Sequence, residues 1–271
     1  MSRDITLGQY YPVESFAHKL DARVKLLLVI VYIVGVFLVE NLYAYIVVGA
    51  FLIISILVSR IPFKNVLKSV KGIIFIVIFT AVLNLLFYKE GEVLWSWWII
   101  VITKDGVLFS VKMALRLLLL VLGTTLLTYT TTPMSLTDGM ESLLSPLKVV
   151  KFPVHDVSII MSIALRFIPI LMEEVDKIMM AQKARGASFD NGNLFKRAKA
   201  LLPVLIPLFV SAFRRADELA LALDARCYNA TPNRTRYKKL TLSWRDLVAS
   251  LSFAVYIVLI VAVNTNFWGL Y

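Results

Sequence analysis

Apolar residues fill five stretches of this chain almost without interruption: 24–39, 42–58, 72–87, 107–130 and 247–263. A bilayer-spanning helix needs about 17–25 mostly apolar residues, so each stretch predicts a crossing, some at the short end. Between 133 and 246 the pattern changes. Val157, Ile160, Met161, Ala164, Ile168, Leu171, Val175, Ile178 and Met179 recur at helical spacing, and so do Leu205, Phe209, Ala212, Ala216, Leu219 and Leu223. Apolar residues on one face with charges on the other predict two long amphipathic helices. Each is expected to bend near its prolines, Pro169 in the first and Pro203 and Pro207 in the second, because the ring nitrogen cannot donate a helical hydrogen bond.

Two shorter apolar runs in this region, 157–172 and 201–213, imitate spans. The first is interrupted by Arg166 and Pro169, and the second is short. Runs of this kind more often form interfacial or buried helices. Counting both would give seven crossings and export the basic stretch 177–199, so five is the preferred count.

Charge sets the expected orientation. Arg3, Lys19, Arg23 and Lys25 precede or open the first span, and Arg60, Lys64, Lys68 and Lys71 lie between the second and third. Residues 88–106 carry only Lys89 and Lys104 against Glu90, Glu92 and Asp105, and hold Trp95, Trp97 and Trp98. Basic loops stay inside and indole rings favour the headgroup zone, which predicts an inner N-terminus and an outer C-terminus. The expected organisation is a membrane domain of four spans over 1–132, a cytoplasmic coupling domain over 133–246 with net charge +6, and a last span over 247–271. At 59% hydrophobic residues and a mean hydropathy of +0.78, the composition supports the same fold class. It is an all-α integral membrane protein of about five transmembrane helices plus long amphipathic helices. The polar opening Met1-Ser-Arg-Asp-Ile lacks the apolar core of a signal peptide, so none is expected.

The two amphipathic runs end alike, in Ala184-Arg185-Gly186 and Ala225-Arg226-Cys227. Aligned on the arginines, Asp176 falls on Asp217, Ala181 on Ala222, Ile178 on Leu219 and Met180 on Leu221. One such tripeptide reads as a plain helix stop, with glycine in the left-handed cap and arginine offsetting the helix dipole. A matched pair with matched upstream residues points further. Guanidinium keeps its charge when buried and presents a planar fork of donors, which suits it to plugging an acidic or carbonyl-lined groove. Two such tips fit two similar partners.

Together with Phe16-Ala-His-Lys-Leu-Asp-Ala-Arg-Val-Lys25 and Ala164-Leu-Arg-Phe-Ile-Pro169, the tips stand in the order of a known family. Over nearly its whole length the chain resembles the transmembrane T component (EcfT, CbiQ-like) of energy-coupling factor transporters. The resemblance implies a non-catalytic subunit that links two ABC-type ATPases, paired as a heterodimer, to a membrane S component that binds a vitamin or a metal ion. It assigns Ala184, Arg185 and Gly186 to one ATPase, and Ala225, Arg226 and Cys227 to the other. The family's second signature usually also ends in glycine, and Cys227 departs from it.

Further candidates are Arg166, Pro169, Asp176 and Asp217, which flank or repeat within the amphipathic runs, and Arg116, one turn from Lys112 in the fourth span. Ionisable groups at membrane depth are functional candidates, although Lys112 reads more simply as snorkelling to the outer surface. The threonines between 124 and 132 suit close helix packing. The stripe Met161, Met172, Met179 and Met180 suits packing or an adaptable partner surface. The sequons at Asn229 and Asn233 carry no meaning on a cytoplasmic face, and Arg234, Arg236, Lys238 and Lys239 read as an anchor for the last span.

One cysteine and two distant histidines give no metal cluster, and no Gly-x-x-x-x-Gly-Lys-Ser/Thr stretch exists to cradle a nucleotide. No cofactor, metal or nucleic acid is expected. The competing reading is a self-sufficient secondary transporter, which needs broken helices and ionisable groups at mid-membrane. Arg116 is its candidate. An interfacial enzyme is disfavoured by the lack of a catalytic set.

Overall fold

The apolar runs become helices in the computed structural model, which describes residues 10–97, 100–146, 153–187, 189, 194–228 and 241–268. In chain order these are α1 (Ala22–Phe37), α2 (Leu42–Ser59), α3 (Phe63–Lys71), α4 (Ile74–Phe87), β1 (Val93–Trp97), β2 (Ile100–Thr103), α5 (Lys104–Thr130), α6 (Pro133–Leu144), α7 (Val154–Ala184), α8 (Leu194–Ala225) and α9 (Trp244–Trp268). They form two compact units, one built on α1–α6 and α9, the other on α7 and α8. Trp98, both sequons and the basic residues 234–239 lie outside the described residues.

In the first unit α5 is the central post, packed by α1, α2, α3 and α4, while α9 packs on α1 and α2. The core is aliphatic with tyrosines set in it: Val36, Val48, Ile56 and Ile260 are buried around Tyr32 and Tyr256. The two rings stack with centroids 6.0 Å apart, and the Tyr32 hydroxyl donates to the Leu119 carbonyl at 2.9 Å. This contact requires Gly123, because a β-carbon there would meet Tyr32 Cε1 at 2.1 Å. Small residues let spanning helices approach closely where lipid supplies no hydrophobic drive.

Among the described residues three helices, α2, α5 and α9, are each long and apolar enough to cross a bilayer. The pair α3 and α4, bent by 55° where they meet, is long and apolar enough only when the two are counted as one span. The apolar run at 24–39 yields a helix of only 16 residues, about 24 Å of rise against a hydrocarbon core of about 30 Å. It ends at Phe37, two residues before the apolar run does.

Residues 93–97 and 100–103, within a stretch read from charge as an outer loop, pair as antiparallel strands, Val93 with Thr103 and Trp97 with Ile100. Their valines, isoleucines and tryptophans favour strands. Thr103 then caps α5, its hydroxyl accepting from the Gly106 amide at 3.1 Å, so α5 begins three residues before the apolar run.

In the second unit α7 and α8 are single helices that run unbroken through Pro169 and through Pro203 and Pro207.

Candidate functional site

The helix tips are built identically. At the end of α7 the Gly186 amide donates to the Lys183 carbonyl at 3.0 Å and the Ala187 amide to that of Gln182 at 3.0 Å. At the end of α8 the Cys227 amide donates to Asp224 at 2.9 Å and the Tyr228 amide to Leu223 at 2.9 Å. Both are Schellman caps, which need a left-handed residue after the last helical position. Gly186 supplies it at φ +88° and Cys227 at φ +50°. The cap therefore forms at both ends despite the cysteine. Ala184, Arg185, Gly186, Ala225, Arg226 and Cys227 are all exposed, and so are Asp176 and Asp217.

The arrangement of the two helices follows from two contacts. Arg215 Nη2 donates to Glu174 Oε2 at 3.3 Å, and Gln182 Nε2 to the Pro203 carbonyl at 3.4 Å. Moving forward along α7 thus moves backward along α8: the pair is antiparallel. Glu174 stands eleven residues before Arg185, and Arg215 eleven before Arg226. The helices therefore touch at equivalent positions of the repeat, and the arginine tips leave that point in opposite directions. At 1.5 Å per residue each tip extends about 16 Å from it, for a separation of at most about 33 Å.

Burial along the two helices is uneven: Val204 on α8 is buried, whereas Met180 and Leu221 beyond the contact are exposed. Leu171, Val175, Ile178, Leu208, Ala212 and Leu219 are partly buried around it. Towards their N-termini both helices leave apolar side chains exposed, including Ile160 and Ile168 on α7, and Ile206, Phe209 and Phe213 on α8. Arg166 and Pro169 lie in this exposed part of α7. The Met stripe is split: Met161 and Met180 are exposed, Met172 and Met179 half-buried.

Sequence reasoning did not single out the Glu174–Arg215 pair, although the signal was present. The register that superposes the arginines places opposite charges at one repeat position.

Arg116 is held by structure. Its Nη2 donates to the Val39 carbonyl at 2.8 Å, and its guanidinium lies 5.8 Å from the centre of the Phe37 ring. Asn264 Nδ2 donates to the neighbouring Leu38 carbonyl at 2.7 Å. The charge thus sits at the C-terminal end of α1, where the helix dipole favours a cation.

The Phe16–Lys25 motif becomes a staple. Asp21 caps α1, accepting from the Arg23 amide at 2.9 Å, and its own amide donates to Asp246 Oδ1 at 2.8 Å. Lys25 Nζ donates to the Thr130 carbonyl at the end of α5 at 2.9 Å and to that of His18 at 3.3 Å. His18 Nε2 bonds the Tyr11 carbonyl at 3.0 Å and Nδ1 the Ser15 hydroxyl at 2.7 Å. Burial pushes the imidazole below its ordinary value of 6.5. One segment therefore ties together the starts of α1 and α9 and the end of α5. A cavity of about 300 Å³ beside it, between α1, α2, α5 and α9, is walled by apolar side chains with Lys25 and a few hydroxyls, and presents no acid–base set.

Stacked apolar helices and an antiparallel pair of amphipathic helices with matching charged caps define a predominantly helical membrane protein. The family described as cobalt transport protein, CbiQ, matches residues 13–237. The chain is 50% identical over 271 residues to the energy-coupling factor transporter transmembrane protein EcfT of Clostridium kluyveri, covering 99% of this chain and 100% of that one. It is 50% identical over 250 residues to EcfT of Ruminiclostridium cellulolyticum, with 92% and 93% covered. To EcfT of Bacillus subtilis it is 45% identical over 255 residues, with 94% and 96% covered. The chain belongs to the EcfT family, the energy-coupling transmembrane components of ECF transporters.

Proposed function

We propose that this chain is the membrane subunit that couples two ABC-type ATPases, forming a heterodimer, to a substrate-binding S component in the import of a vitamin or a metal ion. Arg185 enters a groove of one ATPase and Arg226 a groove of the other. The N-terminus and the unit of α7 and α8 face the cytoplasm, and the C-terminus faces outside. ATP binding draws the ATPases together, and the tips follow. The exposed apolar parts of α7 and α8 pass that movement to the S component within the membrane. The energy comes from the partners, because this chain has no loop to cradle a nucleotide.

One observation carries the reading: the same capped arginine ends both helices of an antiparallel pair that touches at equivalent repeat positions. Such an element offers one plug to each half of a dimer. The secondary-transporter alternative loses its main support, since Arg116 is committed to the end of α1.

The test is assembly. Truncating one side of a buried charged pair across an interface costs about 2–5 kcal/mol, so Arg185→Glu or Arg226→Glu should each weaken ATPase recovery and uptake while the chain still inserts. The double variant should release both ATPases. Lysine should rescue poorly for want of the planar fork. An intact assembly in the double variant would reduce the tips to ordinary caps, and ion-driven uptake by the lone chain would favour the alternative.

A further inference from the structure

We propose that α3 is a binding site for the headgroups of anionic phospholipids, held by Lys64, Lys68 and Lys71. On a helix these positions fall within about 60° of arc, in one stripe. All three are exposed, and among the described residues none has a carboxylate within ion-pair distance. Arg60, just before the helix, is exposed as well. Phe63 and Leu67 form the adjoining stripe and are 52% and 55% exposed. The opposite side is fixed to the protein: Val66 is buried, and the Tyr129 hydroxyl donates to the Asn65 carbonyl at 3.0 Å and lies 3.2 Å from Ser69 Oγ. So α3 is docked on α5 by one side and offers an apolar stripe beside a basic stripe on the others.

The bend supplies the second argument. α3 turns 55° away from α4, whose Phe75, Ile76, Ile78 and Phe79 are exposed as a lipid-facing surface would be. A helix that leaves a span at that angle, apolar edge towards the acyl chains and lysines towards water, has the geometry of an interfacial helix. Basic residues at an inner membrane end fix topology wherever they lie. Gathering them in one stripe on a rigidly docked helix adds a local concentration of charge, which attracts anionic lipid.

The experiment uses the lone full-length chain in vesicles, so it is independent of the coupling role. A bimane is attached after Leu67→Cys in a Cys227→Ser background. The vesicles hold equal amounts of phosphatidylglycerol and phosphatidylcholine, with bromine on the acyl chains of one lipid or the other. Brominated phosphatidylglycerol should quench severalfold more, since each engaged lysine favours anionic lipid by about fivefold. K64Q/K68Q/K71Q should erase the preference and K64R/K68R/K71R should keep it. Equal quenching by the two lipids, or a preference that survives the glutamines, overturns the proposal. So does loss of the preference on adding millimolar glycerol phosphate, which would mean a site for free phosphate. A preference lost in the arginine variant would also overturn it, because headgroup attraction needs charge and not lysine itself.

Discussion

Glu174 and Arg215 occupy the same position in two copies of one helical repeat, and their side chains meet at 3.3 Å. A contact between equivalents lies on the local pseudo-two-fold axis, so it fixes how far each arginine tip extends from the crossing. Both side chains are about one-third exposed, and such a pair contributes only about 0.2–1 kcal/mol to stability. Its consequence is register. Glu174→Arg places two cations at the crossing and Arg215→Glu places two acids there, so each should lower ATPase recovery and uptake severalfold. The exchanged pair E174R/R215E should regain most of the loss. If it performs no better than the worse single variant, the crossing is set elsewhere.

The two caps should respond oppositely to small changes. Nothing lies within 4 Å of a β-carbon built on Gly186, so Gly186→Ala meets only backbone strain, about 1–2 kcal/mol for a left-handed residue. Cys227 already bears that strain at φ +50°, and Cys227→Gly should relieve it. Hydrogen exchange reads both ends. The Ala187 amide should exchange faster in G186A and the Tyr228 amide slower in C227G.

Acid should loosen the staple. Nε2 of His18 must donate to the Tyr11 carbonyl, so in the neutral ring Nδ1 accepts from Ser15. Because burial lowers the folded-state value, the unfolded chain takes up the proton first. His18 thus costs no stability above pH 6.5, and stability falls as the pH drops below it. The Tm of the purified chain should decline over that window, and His18→Asn should remove this part of the decline. An unchanged slope in the variant would assign the acid sensitivity to other groups.

Cys227 is exposed and free, which makes it a native reporter of sidedness. An impermeant maleimide should leave it unlabelled in intact cells and label it in inverted vesicles stripped of the ATPases. Labelling from outside would reverse the proposed orientation of α8.

Much of this architecture was legible from hydropathy. The runs behind α2, α4, α5 and α9 announce themselves, since a membrane leaves few alternatives to an apolar helix. The antiparallel crossing was not, because it rests on an ion pair and a bond to a carbonyl, made by residues that each look like ordinary surface polar groups. Nor was the hairpin: charge balance marks 88–106 as a loop without saying that its β-branched residues pair. The roles of Arg116 and Lys25 were hidden for another reason. Each serves a backbone carbonyl far from it in the chain, and carbonyls leave no mark in a sequence.

The short α1 has a consequence for biosynthesis. The carbonyls just past its end, Leu38 and Val39, are satisfied by Asn264 and Arg116, which lie 226 and 77 residues further along the chain. A nascent chain that has made only its first helices holds those groups without their protein partners. The first helix to leave the ribosome is therefore among the last to receive its final contacts.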